Sequence, residues 1–314
     1  MLEIALAALA LVGWLMLLAV AGGRDAIQGA LRRLTHGAPD PVRRAAASFD
    51  ALGVVGLIGV WLWLSLNPPS VVDATVYWAI DLDNLYGDSV VNRVGAYLYS
   101  PVFAQVAAPF TNLSWAAWYS GWAAINLALL AWMLRPGAAL LTLAFPAVSH
   151  ALWSGNVHFL MAAAAVLAVR WPVAWAFPLL TKVTPGVGIL WHAARREWRS
   201  LGIALGATAV IAIASFAVAP PLWGDWLRVL TASSNEATPN TLLPLPLAAR
   251  VGLAAAIVLI GGVRGWAWTI PVAMVIAQPL FWTAGLAALV AVVPLSRPPA
   301  GLAGSDGDAP AASS

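Results

Sequence analysis

The chain has 314 residues, 61% hydrophobic and 9% charged, with a mean hydropathy of +0.83; apolar runs of roughly 15 to 22 residues recur along it. Such runs exclude a soluble globular core, and because segments such as LEIALAALALVGWLMLLAV are apolar on every side rather than alternating, they also exclude a β-barrel. Cysteine is absent, which removes disulfides and thiolate metal sites, and sixteen Lys and Arg against thirteen Asp and Glu is the mild excess that cytoplasmic loops carry, not a nucleic-acid surface.

These features predict an all-α, polytopic integral membrane protein. The first run, about Leu2 to Val20, has Glu3 and no basic residue ahead of it, so it reads as a retained span rather than a cleaved signal. Arg24, Arg32, Arg33, Arg43 and Arg44 follow, placing that loop in the cytoplasm and the N-terminus outside. A second span, about Ala51 to Leu66, then delivers the stretch at about 67–96 to the external face. This first external loop gathers Asp73, Asp81, Asp83 and Asp88, and carboxylates between spans must sit in water, at the interface or in a lined cavity. Val72, Val76, Ala79 and Ile80 recur there at helical spacing, which predicts an amphipathic surface helix with Asp73 and Tyr77 one turn apart.

A return span of about Tyr97 to Phe110 is expected next, then about Leu113 to Leu134, ending at Arg135-Pro136-Gly137. Two shorter segments, about Ala138 to Trp153 and Val157 to Val169, are joined by Ser154-Gly155-Asn156 and suit helices that line a cavity. The segment from about Val173 to Ala193 contains Lys182 and Pro185 and ends in the basic cluster Arg195, Arg196 and Arg199. A long span to about Ala219 leads to a second external loop, about 220–246, with Asp225, Arg228 and Glu236. Three more segments follow, near Ala248 to Val263, Trp266 to Ala277 and Leu280 to Pro294. In total this gives about eleven membrane segments in one transmembrane domain, 1–296, with a disordered cytoplasmic tail at 297–314. Ten arginines then fall inside and five outside, Arg135 among the latter. The protein is expected in the cell membrane, surrounded by lipid; the sequence sets no oligomeric state. No internal repeat of the inverted-transporter kind is visible.

Several residues stand out against this background. Asp73 in VVDATVY suits a general base, or a solvated loop carboxylate or helix cap. Lys182 lies within an apolar run, where insertion scales charge roughly 2.5–3.5 kcal/mol, so it needs a counter-ion, a watery cavity or an anionic ligand unless it snorkels. His150 and His158 flank Gly155-Asn156 and suit hydrogen bonds to a phosphate or a sugar, or a structural role. No third ligand at suitable spacing completes a metal site, and no P-loop, dinucleotide fingerprint, G-x-S-x-G or H-E-x-x-H is present.

The order VDATVY, YLYSP, SGN, KVTP followed by RREWR, SSNEATPN and AQPLFW resembles the polyprenol-phosphate-mannose-dependent mannosyltransferases of glycosyltransferase family 87, of the C-type membrane glycosyltransferase superfamily. The likeness runs over roughly residues 70–295 and rests on order and spacing rather than on one motif. It implies transfer of a sugar, mannose by the resemblance, from a polyprenyl-phosphate donor to a hydroxyl of a glycolipid or glycan acceptor on the external face, with inversion and with no cofactor or metal. Asp73 matches the family's presumed base. Lys182 is the first candidate for the phosphate, with Arg93 and His158 behind it, and Tyr77 and nearby Trp residues would orient the sugar. Tyr99, His150, Asn156 and Asn235 complete the expected substrate contacts; Gly155-Asn156 stands where the family has Gly-Gln, and Ser234-Asn235-Glu236 where it has an Asn-Gln-Ser-like element. A transporter or flippase of a lipid-linked or anionic substrate, and a non-catalytic subunit of an envelope-assembly complex, are the rival readings.

Overall fold

The computed structural model describes residues 40–70, 73–87, 95–233 and 242–296, and every regular element among them is helical. The expected first span at Leu2–Val20, the residues Arg93 and Asn235, and the tail lie outside that range. In chain order the helices are α1 (Asp40–Leu66), α2 (Asp73–Trp78), α3 (Pro101–Ala107), α4 (Trp115–Leu134), α5 (Pro136–Thr142), α6 (Pro146–Ser154), α7 (His158–Ala168), α8 (Ala176–Thr181), α9 (Leu190–Ala194), α10 (Trp198–Val218), α11 (Pro220–Ser233), α12 (Leu247–Arg264), α13 (Thr269–Ile276) and α14 (Val292–Leu295). Turns of 3-10 helix at Pro172–Trp175, Thr184–Ile189 and Thr283–Ala291 extend α8, α9 and α14 at their N-terminal ends.

Four of these, α4, α10, α12 and the Arg44–Leu66 part of α1, are long and apolar enough to cross a bilayer, or five if α5 and α6, bent by 96° to each other, form one broken span. Ten of the about eleven expected segments fall within the described residues, and there they are not matched by ten spanning helices. The remaining apolar helices, Pro101–Phe110, His158–Ala168, Pro172–Thr181 and Thr283–Leu295, are each shorter than the roughly 20 residues a crossing needs. Most of them are buried against one another, α7 packing on Pro172–Trp175 and on Thr283–Ala291. The alanines of α7 make this possible, because small side chains let short helices close to van der Waals distance without a long apolar stripe.

The register of α1 and α4 fixes which ends lie together. Trp61 Nε1 donates to the Ser120 carbonyl at 3.0 Å and the Ser65 and Ser120 hydroxyls meet at 2.8 Å, while at the far end Arg135 pairs with Asp50, which also accepts from the Gly137 N–H at 3.3 Å. The two helices are antiparallel, so α4 starts at the end where α1 finishes. The segment Tyr97–Phe110 is accordingly not the expected return span. Pro101 starts α3, and Pro109, which has no N–H to continue the ladder, falls in the 3-10 turn that follows it. Ser100 Oγ donates to the Leu180 carbonyl and Trp78 Nε1 to that of Leu113, so both ends of the segment are tied to the same side. Arg135 thus moves to the end that also carries Arg44, and Arg170, likewise among the five expected outside, moves with it, since His192 Nε2 meets the Ala168 carbonyl there, by Arg195, Arg199 and Arg264.

The expected single segment Val173–Ala193 is a hairpin of two short pieces. Pro185 lacks the N–H that would bond the Thr181 carbonyl, α8 ends at Thr181, and Lys182 is extended (φ −134°, ψ 96°) at the turn. Gly186 packs on Leu179 and Gly188 on Trp175 as the second piece runs back. At the arginine-rich end buried His192 lies 2.7 Å from Glu197 and 3.2 Å from the Ala168 carbonyl, and Arg195 bonds Glu197 at 2.7 Å while lying 4.7 Å over the Trp191 ring. Burial pushes the Glu197 carboxyl up, but the hydrogen bonds from Arg195 and His192 outweigh it and hold the group below its usual value. The expected external loop at 220–246 instead opens with α11, whose Leu222 and Trp226 are buried.

The arrangement predicts which surfaces face which solvent. In a chain without native cysteine, Ser70→Cys should react with a membrane-impermeant thiol reagent on intact cells, and Arg199→Cys only after permeabilisation. A Cβ added to Gly53 would lie 2.3 Å from the Gly137 nitrogen and the Pro136 carbonyl carbon. Gly53→Ala should therefore force α1 from α5 and cost about 1–3 kcal/mol in thermal or denaturant unfolding of the purified protein.

Candidate active site

The charged residues of the apolar body converge opposite the arginine-rich end. Asp73 is the first residue of α2, and Ala74 beside it is fully buried against the turn after α6. That turn ends in Gly155 in the left-handed region (φ 64°), where a Cβ would come within 2.5 Å of the Ala74 methyl and 3.1 Å of the Trp122 ring. Trp122 Nε1 donates to the Gly155 carbonyl at 2.6 Å, and Asn156 Nδ2 donates to Asp73 Oδ2 at 2.5 Å. A carboxylate, an amide and a glycine turn from two distant stretches thus form one unit. Asn156 is buried and its Oδ1 has no partner among the described residues.

The buried face of α2 is Ala74 and Tyr77, not the Val76–Ile80 face that the spacing suggested. Tyr77 is fully buried, its hydroxyl 2.7 Å from that of Tyr99, and its ring packs on Phe103 and Trp122 at 5.1 and 5.6 Å between centroids. Tyr86 donates to the Tyr99 carbonyl at 2.7 Å. Over the Tyr99 ring, 5.7 Å from its centroid, sits the ammonium of Lys182, which also lies 3.5 Å from His158 Nε2 and within the field of Asp73. His158 Nε2 in turn is 3.1 Å from Gln278 Oε1. Below this cluster a groove of about 680 Å³ opens between α3, α4, α8 and α10, lined by Phe103, Trp122, Phe177, Leu180 and Ile211 and running up to Thr181, next to Lys182.

Six of the expected site residues, Asp73, Tyr77, Tyr99, Asn156, His158 and Lys182, are therefore brought together. His150 is not in contact with them; it is exposed, beside Trp153. Arg93 and Asn235 lie outside the described residues. Lys182 occupies a turn rather than mid-span, and the acidic side chain whose charge reaches it, without an ion pair, is Asp73. Gln278 was not anticipated. The signal was available, since between Trp266 and Leu295 it stands among apolar residues with two threonines as the other polar side chains. No group of three His, Asp or Glu that could hold a metal occurs among the described residues.

Apolar helices long enough to span a bilayer, with a carboxylate, an amide, a histidine and an ammonium gathered at one end of the bundle, define a membrane protein with a candidate active site. The family model of glycosyltransferase family 87 matches residues 97–305, about two thirds of the chain. The chain belongs to glycosyltransferase family 87. Tyr99, Asn156, His158, Lys182 and Gln278 lie inside the matched region, and Asp73 and Tyr77 precede it. No curated protein and no solved structure matches the chain.

The contact of Gly155 with Ala74 yields a compensating pair. Gly155→Ala should displace α2 and lower transfer activity by roughly tenfold or more, while Ala74→Gly added to it should recover part of the loss. The residue left unrecovered measures the strain of a non-glycine residue at positive φ, on the order of 1–2 kcal/mol.

Proposed function

We propose that the protein transfers a sugar, mannose by resemblance, from a polyprenyl-phosphate carrier to a hydroxyl of a glycolipid or glycan acceptor, on the external side of the cell membrane and with inversion at the anomeric carbon. The observation that carries the reading is the cluster in which Asn156 holds Asp73 while Lys182 lies over the Tyr99 ring and beside His158, with an apolar groove reaching Thr181 next to it. The arginine-rich end is assigned to the cytoplasm, as basic loops require, which leaves Asp73 outside.

In this mechanism the isoprenoid chain lies along Phe103, Trp122, Phe177 and Leu180 and the phosphate reaches Lys182. Asp73 takes the proton of the acceptor hydroxyl as that oxygen attacks the anomeric carbon, while the bond from that carbon to the phosphate oxygen breaks and the polyprenyl phosphate leaves. The attacking hydroxyl grows more acidic as its bond to the oxocarbenium-like carbon forms, so a carboxylate suffices, and a positioned base contributes typically 10²–10⁴ in rate. Asn156 holds one oxygen of Asp73, leaving the other for the acceptor. Lys182 stabilises the negative charge gathering on the departing phosphate. Tyr77, with its hydroxyl occupied by Tyr99, acts by supporting that ring beneath the ammonium. Metal and cofactor have no part in this sequence.

Asp73→Asn should abolish transfer from a polyprenyl-phosphate sugar in membranes while expression and donor binding persist; Asp81→Asn and Asp83→Asn, both exposed, should change it little. Equal loss from all three would transfer the role from Asp73 to the loop as a whole. Lys182→Met should erase most of the thermal stabilisation that polyprenyl phosphate gives the purified protein. Full retention of that stabilisation would remove Lys182 from the phosphate site.

A further inference from the structure

His158 is buried to 3% exposure, and its two ring nitrogens are placed differently: Nε2 lies 3.1 Å from Gln278 Oε1 and 3.5 Å from Lys182 Nζ, whereas Nδ1 is buried with no partner among the described residues. The Gln278 amide is oriented by its other end, where Nε2 donates to the Gly285 carbonyl at 3.5 Å. Oε1 therefore faces the imidazole as an acceptor, and the nitrogen opposite it must carry a proton. An imidazolium is disfavoured 3.5 Å from the Lys182 ammonium, with no carboxylate bonded to the ring. Lys182 could bond Nε2 only by donating to a lone pair there, but at 3.5 Å that contact is at the outer limit of a hydrogen bond, longer than the 3.1 Å to Gln278, and the ammonium also has the Tyr99 ring face. The opposite neutral tautomer would set two lone pairs against each other at 3.1 Å and leave a buried Nδ1–H without an acceptor.

We infer that Gln278 is a positioning residue that holds His158 as the neutral Nε2–H tautomer, so that its Nδ1 lone pair accepts a hydrogen bond from a hydroxyl of the donor sugar. This rests on the glycosyltransferase reading above and reverses the expectation that His158 donates to the phosphate. The sugar rather than the phosphate follows from the partner chemistry: a phosphate oxygen cannot donate to a lone pair, a sugar hydroxyl can, and the sugar is attached to the phosphate that Lys182 beside His158 would hold.

Two further features keep Gln278 in place. Arg250, 1% exposed, spends its guanidinium on backbone carbonyls, Nη1 to Gln278 at 2.5 Å, Nη2 to Pro279 at 3.0 Å and Nε to Leu245 at 3.2 Å, so the main chain at Gln278 is clamped from behind. Gly285 lies directly beneath the amide: a Cβ there would be 2.6 Å from Gln278 Oε1.

The test uses full-length protein labelled with ¹⁵N in the histidine rings, the His158 signals being identified by their loss in His158→Gln. Nitrogen shifts should show Nε2 protonated and Nδ1 bare in the parent protein. Gln278→Met, and Gly285→Ala through the displaced amide, should shift population to the Nδ1–H form. A protonated Nδ1 in the parent, or a tautomer indifferent to Gln278→Met, overturns the assignment. Ligand binding supplies the second arm, by thermal stabilisation with a polyprenyl phosphate and with the same lipid carrying mannose. Gln278→Met should keep the response to the bare phosphate and lose most of the additional response to the sugar, with kcat lowered by roughly tenfold. Loss of the response to the bare phosphate would make His158 a phosphate ligand and sink the proposal. Retained transfer in Asp73→Asn would overturn the catalytic reading alone, because the tautomer is read without turnover.

Discussion

One ammonium in an apolar body sets the terms for the rest of this structure. Lys182 could not sit in the middle of a continuous lipid-facing helix without a cost of a few kcal/mol. The chain avoids that position by ending α8 at Thr181 and turning, so that the amine emerges over the Tyr99 ring among groups supplied by four other stretches. Each of those stretches is short or broken at the point where it contributes. Asp73 stands at the start of a six-residue helix, Asn156 follows a left-handed glycine, His158 opens α7, and Gln278 follows the end of α13. Helix ends are where backbone groups are unsatisfied and polar side chains are most useful, and collecting several ends at one place makes a polar chamber inside an apolar protein.

Much of this was legible in the residues, for a physical reason. In a chain with 9% charged residues, a carboxylate next to an apolar segment or a lysine within one is conspicuous, and Asp73, Asn156, His158 and Lys182 were all identifiable before any geometry. The turn at Lys182 was less visible, although Pro185 marked it, because the apolar run continues on both sides of it at unchanged hydropathy. Segment length misled in the same way at Tyr97–Phe110. That stretch is apolar enough to be taken for a short span, and its true side is fixed by Ser65, Ser120, Asp50 and Arg135, contacts that join residues more than 50 positions apart. Local periodicity carries no information about such pairs. Gln278 shows the same limit, since its importance lies in facing His158 across 120 positions.

Placing Arg135 with Arg44, Arg195, Arg199 and Arg264 sharpens the charge asymmetry that the linear reading had already suggested. On that side the cations meet carboxylates or aromatic faces: Arg135 with Asp50, Arg195 with Glu197 and Trp191, Arg264 over Trp266. At the other end Lys182 and Arg250 differ, as neither has a carboxylate bonded to it among the described residues. Arg250 resolves this by chelating three carbonyls, which fits a guanidinium that is always charged and weakly hydrated. Lys182 has a ring face and the field of Asp73, and the histidine nitrogen beside it donates toward the glutamine instead of accepting from the ammonium. Its charge is thus the less fully answered of the two, and the more open to an anionic ligand.

That difference bears on how binding and reaction are coupled under the proposed mechanism. The Lys182 ammonium feels the Asp73 carboxylate without a direct bond to it. A lipid phosphate arriving through the groove brings a second anion to the same cation. Because a phosphate carries its charge on several oxygens and Lys182 is a point charge on a flexible stem, the amine can move toward it without rearranging the backbone. Asp73 cannot follow, since Asn156 holds one of its oxygens and Ala74 is seated on Gly155. The carboxylate then keeps its position while losing part of its partner, and the cheapest way to answer its charge is a hydrogen bond from the acceptor hydroxyl. Donor binding would in this way prepare the base for the acceptor, through rearrangement of a single lysine side chain.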